Sequence, residues 1–262
     1  MDNWQERTEQ LLGAAATRRL QQAHVLIVGV GGVGAWAAEM IGRAGVGEIT
    51  LVDADDVQPS NINRQLPALH STVGLSKTEI VGQRLLDINP DLTLHTVPRY
   101  MTEEDVPALL DSLLPALQQD HRVFIVDAID TIAPKCALIA EAHRRRIPIV
   151  SSMGAGAKSD ITKVQFARLE DTYHCGLSKA VRTRLKSLLK EEENVPRPDG
   201  RGVGKGLLRT PVVFSSEQAD RNAVIRVEGE QNKKSTTGTI SYMPAVFGCY
   251  LAEYAIKILT SE

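Results

Sequence analysis

The 262-residue chain has no excess of charge of either sign, no paired cysteines and no long apolar run. Each absence removes a class of function. A formal net charge of -2 rules out an overall polycation, so any contact with nucleic acid must come from a local patch rather than from the whole surface. Every apolar stretch falls short of the roughly 18 residues that a membrane span needs. The opening MDNWQERTEQ mixes acids and bases around no apolar centre, which is not the pattern of a secretion signal. The cysteines, Cys136, Cys175 and Cys249, form no C-x-x-C pair, which argues against a zinc site or a dithiol motif. Together these absences predict a soluble, reduced, cytoplasmic protein with no membrane partner. Cys136 and Cys249 lie in helix-like apolar surroundings and are expected to be buried as small hydrophobes. Cys175, on the polar segment TYHCGLSK, is a candidate reactive thiol, although an ordinary, partly exposed residue is the favoured expectation.

What is present is a rhythm. With 43% hydrophobic residues, the chain has the material for one sizeable core. Short apolar runs at 24–30, 48–55, 92–97, 123–129 and 147–152 read as five strands, four of them continuous and rich in β-branched residues. Amphipathic segments near 33–44, 75–88, 102–119 and 131–146 separate them. This alternation predicts an α/β fold: Rossmann-like, doubly wound, with a mainly parallel sheet. After about residue 155 the alternation stops. ITKVQFARL, a charged helix near 173–192, the Pro/Gly-rich NVPRPDGRGVGKG, TPVVFSS, AVIRVEG and a last helix near 243–259 follow. The later strands lack helical crossovers between them and are expected to extend the same sheet in antiparallel fashion. The expected organisation is therefore one domain over 1–262, with a nucleotide-binding half at 1–155 and a sheet extension at 156–262.

The first motif is GVGGVG, which places Gly29, Gly31, Gly32 and Gly34 between the first strand and the first crossover helix. Glycines there let the backbone approach a phosphate, and the N–H groups of a helix N-terminus face an anion. Asp53 ends the second strand, 19 residues after Gly34, where an acid binds a ribose hydroxyl. Taken alone, the pair indicates a nucleotide, with NAD as its commonest occupant. The loop that follows, DADDVQPSNINRQ, points elsewhere. Hydride transfer leaves the phosphates of a dinucleotide untouched, whereas breaking a triphosphate requires cations on the leaving pyrophosphate. Asn61 and Arg64 supply polar and cationic groups, and Lys77 follows 13 residues after Arg64. LSKTE predicts Ser76 as an N-cap with Glu79 closing a capping box, so Lys77 falls in the first turn of a helix. A cation there opposes the helix dipole, at a cost of roughly 0.3–1 kcal/mol that a bound phosphate would reverse. The fourth strand ends VDAIDT. Asp130 is the candidate ligand for a hydrated magnesium ion, while Asp127 is expected to cap the next helix or accept backbone hydrogen bonds.

GVGGVG, VDADDVQPSNINRQ, VGLSK and VDAID in this order resemble the ThiF/MoeB/HesA superfamily of ATP-dependent adenylating enzymes, related to ubiquitin-activating enzymes. The resemblance covers about residues 4–170. It implies ATP and Mg2+ as cofactors and puts Gly32, Asp53, Asn61, Arg64, Lys77 and Asp130 on ATP-contacting positions. Asp55, in the same loop, joins that set, and Arg7, Arg64, Lys77 and Asp130 become the candidate catalytic groups. Arg7, in WQERTEQLLG, falls where the superfamily carries an arginine that reaches into its partner's site, which implies a homodimer. Members that adenylate the C-terminus of a sulfur-carrier or ubiquitin-like protein usually carry two C-x-x-C pairs and often a late cysteine, and KKSTTGTISYMP has no thiol. The stretches APKCALIAEAHRRR and SSMGAGAKSDITKVQ are instead similar to the subgroup that dehydrates threonylcarbamoyladenosine beside the anticodon of tRNA.

That subgroup resemblance implies adenylation of a free carboxylate followed by ring closure, in which a tethered attacking atom makes an enzyme nucleophile unnecessary. It also leaves room for a sulfur-relay partner protein. An RNA substrate requires a basic surface, and residues 179–209 hold nine Lys or Arg against four acids. The run at 144–146 needs no such reading, because cations at a helix C-terminus already favour the dipole. An activator of a carrier protein and an NAD-linked oxidoreductase are the competing expectations. The first is disfavoured by the missing cysteines, the second by Arg64 and Lys77.

Overall fold

In the computed structural model, residues 4–113, 116, 122–193, 205–226 and 235–261 are described. Helices α1 (Glu6–Leu12) and α2 (Ala14–Gln21) precede strand β1 (Ala23–Val28). Then come α3 (Gly34–Arg43), β2 (Glu48–Val52), α4 (Lys77–Ile88) and β3 (Thr93–Val97). After α5 (Val106–Asp111), β4 (Arg122–Asp127), α6 (Ile132–Arg145) and β5 (Ile149–Ser152) complete the alternating part. The remainder is β6 (Val164–Arg168), α7 (Gly176–Glu193), β7 (Pro211–Ser215), β8 (Val224–Arg226), β9 (Ser235–Thr237) and α8 (Tyr242–Thr260).

Seven strands form one sheet in the order β3-β2-β1-β4-β5-β7-β6. β1 pairs in parallel with both β2 and β4, so the strand order reverses between β1 and β4. In a doubly wound sheet that reversal opens a crevice beyond the carboxyl ends of the strands. Strand alternation divides the core. Val25, Ile27, Ile49, Leu51, Phe124 and Val126 face α2, α3, α4 and α8, while Leu26, Val28, Val123 and Ile125 face α5, α6 and α7. Both faces are covered, which is why β1 and β4 read as unbroken apolar runs.

The sheet extension differs in detail from expectation. β7 lies parallel to β5, and the antiparallel partner in the main sheet is β6, which closes its edge. The chain returns through α7 between β6 and β7, which supplies the crossover that a parallel strand requires. The AVIRVEG strand does not join this sheet. Its described part, β8, pairs antiparallel with β9 in a separate two-stranded ribbon. Most of the Pro/Gly-rich segment, 194–204, and residues 227–229 of AVIRVEG lie outside the described residues, as do 114, 115 and 117–119 of the expected 102–119 helix. α1 and α2, unanticipated from the sequence, lie at the amino edge of the sheet: Gln21 Nε2 donates to Gln5 Oε1 at 2.7 Å, and the Gln5 side chain fills the space beside Gly45, just before β2.

Candidate active site

The strand-to-helix turn after β1 is built by close approach. Gly29 has φ +89°, and a Cβ there would meet the Ala128 carbonyl oxygen at 2.8 Å. A Cβ on Gly34 would lie 1.7 Å from the Gly29 oxygen, so no other residue closes this turn. Gly31 and Gly32 form its outer wall, beside the Gln65 side chain and Pro244 respectively. Ala128 N–H donates to the Val28 oxygen at 2.9 Å and fastens the segment that leads to Asp130 against the glycine turn.

Asp53 organises the next wall. Its Oδ2 accepts Val30 N–H at 2.7 Å and its Oδ1 accepts Asp55 N–H at 2.9 Å, which ties the glycine turn to the loop after β2. Burial raises the Asp53 carboxyl above its ordinary value, against the opposing pull of these N–H groups and of the Lys77 ammonium. The loop then pairs with the entry to α4. Val57 N–H donates to the Leu75 oxygen at 2.9 Å and Lys77 N–H to the Asp55 oxygen at 3.1 Å. The Lys77 side chain is thereby folded under the loop, with Nζ 2.7 Å from Asp55 Oδ2, and its side chain is only 5% exposed. The Lys77 side chain is therefore not solvated at the surface. The expected capping box is not formed: Ser76 makes no side-chain cap bond and its Oγ pairs with Thr78 Oγ1 at 3.0 Å, while Glu79 is exposed. With the orphan N–H groups uncapped by side chains, the start of α4 keeps its positive end available to an anion.

Asn61 is buried in a 3-10 turn, and its Oδ1 accepts Gln58 N–H at 3.0 Å. Arg64 is half-buried. Its Nη1 donates to the Ser60 oxygen at 2.7 Å and to Asn63 Oδ1 at 2.8 Å, which braces the loop beside Gly31 and Gly32. Asn63 Nδ2 in turn donates to the Thr239 oxygen at 2.9 Å and joins this loop to the segment before α8. Gly29, Gly31, Gly32, Gly34, Asp53, Asp55, Arg64 and Lys77 are thus linked through contacts around one end of the sheet. Asn61 belongs to the same loop as Arg64. Asp130 is exposed just past the carboxyl end of β4. Arg7 is not brought to them within the chain. It is exposed on α1, which is anchored at the opposite, amino edge.

Asp127 is fully buried and behaves as expected for a backbone acceptor, taking Ile129 N–H at 3.0 Å. It also accepts Ser151 Oγ at 2.6 Å and pairs with Lys135 Nζ at 2.8 Å, both partners being buried. Lys135 donates as well to the Ile129 oxygen at 2.8 Å. Sequence reasoning missed this lysine. Its signal was its place in the stripe Lys135, Leu138, Ile139 and Ala142, all buried on α6. Cys175 is buried, not partly exposed, with its Sγ accepting Ser178 N–H at 3.5 Å. Cys136 is buried as expected, and burial pushes its thiol up to about 12. Cys249 is exposed, because it lies on the outer side of α8 while Gly248 and Phe247 pack inward.

A parallel doubly wound sheet with a glycine turn, an acid at the end of its second strand and a buried lysine at one carboxyl edge defines a nucleotide-handling α/β protein. The chain belongs to the ThiF family, whose model matches residues 5–262. It is similar to the tRNA threonylcarbamoyladenosine dehydratase of Escherichia coli (strain K12), with 35% identity over 100% of this chain and 96% of that protein. It is 35% identical to the tRNA threonylcarbamoyladenosine dehydratase of Bacillus subtilis (strain 168), over 98% of this chain and 94% of that one. The crystal structure of the Escherichia coli enzyme in complex with ATP superposes with a TM-score of 0.80 and 33% identity, covering 99% of this chain and 96% of that chain.

Proposed function

We propose that the protein dehydrates threonylcarbamoyladenosine in tRNA at the expense of ATP, through an adenylated carboxylate. The carrying observation is the placement of buried Lys77 beside Asp53 and the glycine turn, in a chain that aligns end to end with dehydratases of that name. The substrate carboxylate attacks the α-phosphorus of ATP, forming an acyl-phosphate bond as pyrophosphate leaves. A nitrogen or oxygen of the same side chain then attacks the activated carbonyl and expels AMP, so the substrate carboxylate loses an oxygen to AMP and the base closes a ring.

Asp53 holds the ribose through the lone pairs its two backbone bonds leave open. Gly29, Gly31, Gly32 and Gly34 admit the phosphates. Asp55 keeps Lys77 in place and yields it to phosphate, and Asn61 and Arg64 line the phosphate side with an amide and a guanidinium. Asp130, a single exposed carboxylate just past the carboxyl end of β4, would hold a largely hydrated magnesium ion. Such an ion supplies charge neutralisation on the phosphates. Arg7 acts in trans within a homodimer. In support, α1 buries none of its residues within the chain, and Leu11 is 84% exposed.

One adenylating domain over 1–262, with 1–155 as the nucleotide half and 156–262 as its extension, working in the cytoplasm, completes this reading. A sulfur-relay partner remains part of it on the family resemblance alone. Adenylation of a sulfur-carrier or ubiquitin-like tail is the weaker alternative, because the chain has no C-x-x-C pair. The test is to incubate the protein with magnesium-ATP and tRNA carrying threonylcarbamoyladenosine, then weigh the digested nucleosides. A modified nucleoside lighter by one water supports the reading, and an unchanged mass overturns it.

A further inference from the structure

Resting on that reading, we infer that the outer face of α7 is where the sugar-phosphate backbone of the substrate tRNA lies. Residues 176–190 contain Lys179, Arg182, Arg184, Lys186 and Lys190 and no acid. The inner side of the helix is committed to the core through Val181 and Leu185, and Arg182 is turned inward, donating to the Thr172 oxygen at 2.7 Å. Lys179, Arg184 and Lys186 face outward and are exposed, with Arg184 held 3.3 Å from Glu103 in an exposed pair that phosphate can replace at little cost.

This face also has shape. Gly176, Lys179, Ala180, Thr183, Arg184 and Ser187 line a shallow groove of about 440 Å³. Its small side chains admit a strand between flanking cations. Thr183 Oγ1 donates to the Lys179 oxygen at 2.9 Å and Ser187 Oγ to the Thr183 oxygen at 3.3 Å. Both hydroxyl hydrogens are therefore spent on the helix, and the oxygen lone pairs are left as acceptors. A ribose 2′-hydroxyl is the donor that matches them, which selects RNA over DNA.

The helix starts at the right place. A Cβ on Gly154, two residues beyond β5, would lie 3.5 Å from Cys175 Sγ and 3.8 Å from Leu177 Cβ. The groove thus begins at the carboxyl edge that holds the nucleotide loops. From Lys179 to Lys190 the face extends about 16 Å, enough for several phosphates. A stem laid along it presents its modified base to the crevice between β1 and β4.

The experiment compares wild type with a Lys179→Glu/Lys186→Glu double variant in tRNA binding across a salt series, alongside ATP affinity and thermal stability. Loss of two phosphate contacts is expected to weaken tRNA binding at least tenfold at low salt and to flatten the log–log salt slope by about 0.7–0.9 per contact. Affinity for ATP and the melting temperature should stay at wild-type values, and a DNA strand of the same sequence should bind wild type more weakly than the RNA. An unchanged salt slope, with a wild-type KM for tRNA in the double variant, overturns the inference while wild-type dehydration of the same tRNA leaves the proposed activity standing. Absence of dehydration by wild type removes both.

Discussion

Lys77 Nζ lies 2.7 Å from Asp55 Oδ2, pairing an almost fully buried ammonium with a carboxylate that is 64% exposed. The asymmetry matters. Asp55 can turn to solvent at small cost, whereas Lys77 cannot, so an arriving phosphate can take the carboxylate's place on the ammonium. Replacing Lys77 with alanine should abolish ATP consumption, and replacing Asp55 with asparagine, which leaves the buried ammonium without its nearest carboxylate, should cost more than the about 0–1 kcal/mol of an exposed pair. Pyrophosphate release and chemical denaturation check the two. Full turnover in the Lys77 variant contradicts the assignment.

In the proposed function Asp53 serves as a carboxylate that accepts a ribose hydroxyl in addition to its two backbone bonds. Because burial raises its pKa above 3.8, ATP affinity should start to fall at a higher pH on acidification than an exposed aspartate would allow. Asp53→Asn loses the charge and one of the two backbone acceptors and should bind ATP about tenfold or more weakly, a loss of about 1.4 kcal/mol or more. Calorimetric titration over a pH series measures both effects.

The buried pair of Lys135 and Asp127 holds the Ile129 carbonyl and N–H, and with them the approach to Asp130. Lys135→Met leaves a buried carboxylate uncompensated and should cost about 3–5 kcal/mol. Adding Asp127→Asn should recover part of that loss. A double-mutant cycle in denaturant that shows simple additivity contradicts the coupling.

Glu39, buried on α3, takes Arg84 Nε at 2.6 Å and Arg43 Nε at 2.8 Å, and so clamps α4 to α3. Although burial raises the Glu39 carboxyl, the two guanidinium groups outweigh it and set its folded pKa below 4.5. A depressed carboxylate contributes stability that is present above pH 4.5 and is lost as the pH falls through the folded value. Glu39→Gln should therefore be less stable near neutrality and lose less on acidification. Urea midpoints across pH 3–7 provide the comparison.

The parallel core and the glycine turn were legible because each depends on local pattern. Unbroken β-branched runs mark strands buried on both faces, and Gly29 with Gly34 marks a turn no side chain tolerates. Lys77 was legible as a cation at a helix start, but its burial was not, since that depends on Asp55 and Val57 pairing with the segment before α4. The role of β7 was hidden for a similar reason. PVVFS reads the same in either direction, and only the return through α7 makes it parallel to β5. Lys135 was hidden by its charge, which masked membership of an apolar stripe. Cys249 was misplaced because α8 is apolar around most of its circumference, so composition could not say which side faces out.

The proposed reaction cleaves ATP between the α- and β-phosphates in response to a carboxylate on RNA. Release of AMP and pyrophosphate, measured with two matched tRNAs of which one carries threonylcarbamoyladenosine and the other lacks its carboxyl group, tests it most directly. Pyrophosphate and AMP are expected in equal amounts with the first tRNA and neither above background with the second. Equal release with both, or ADP in place of AMP, contradicts it.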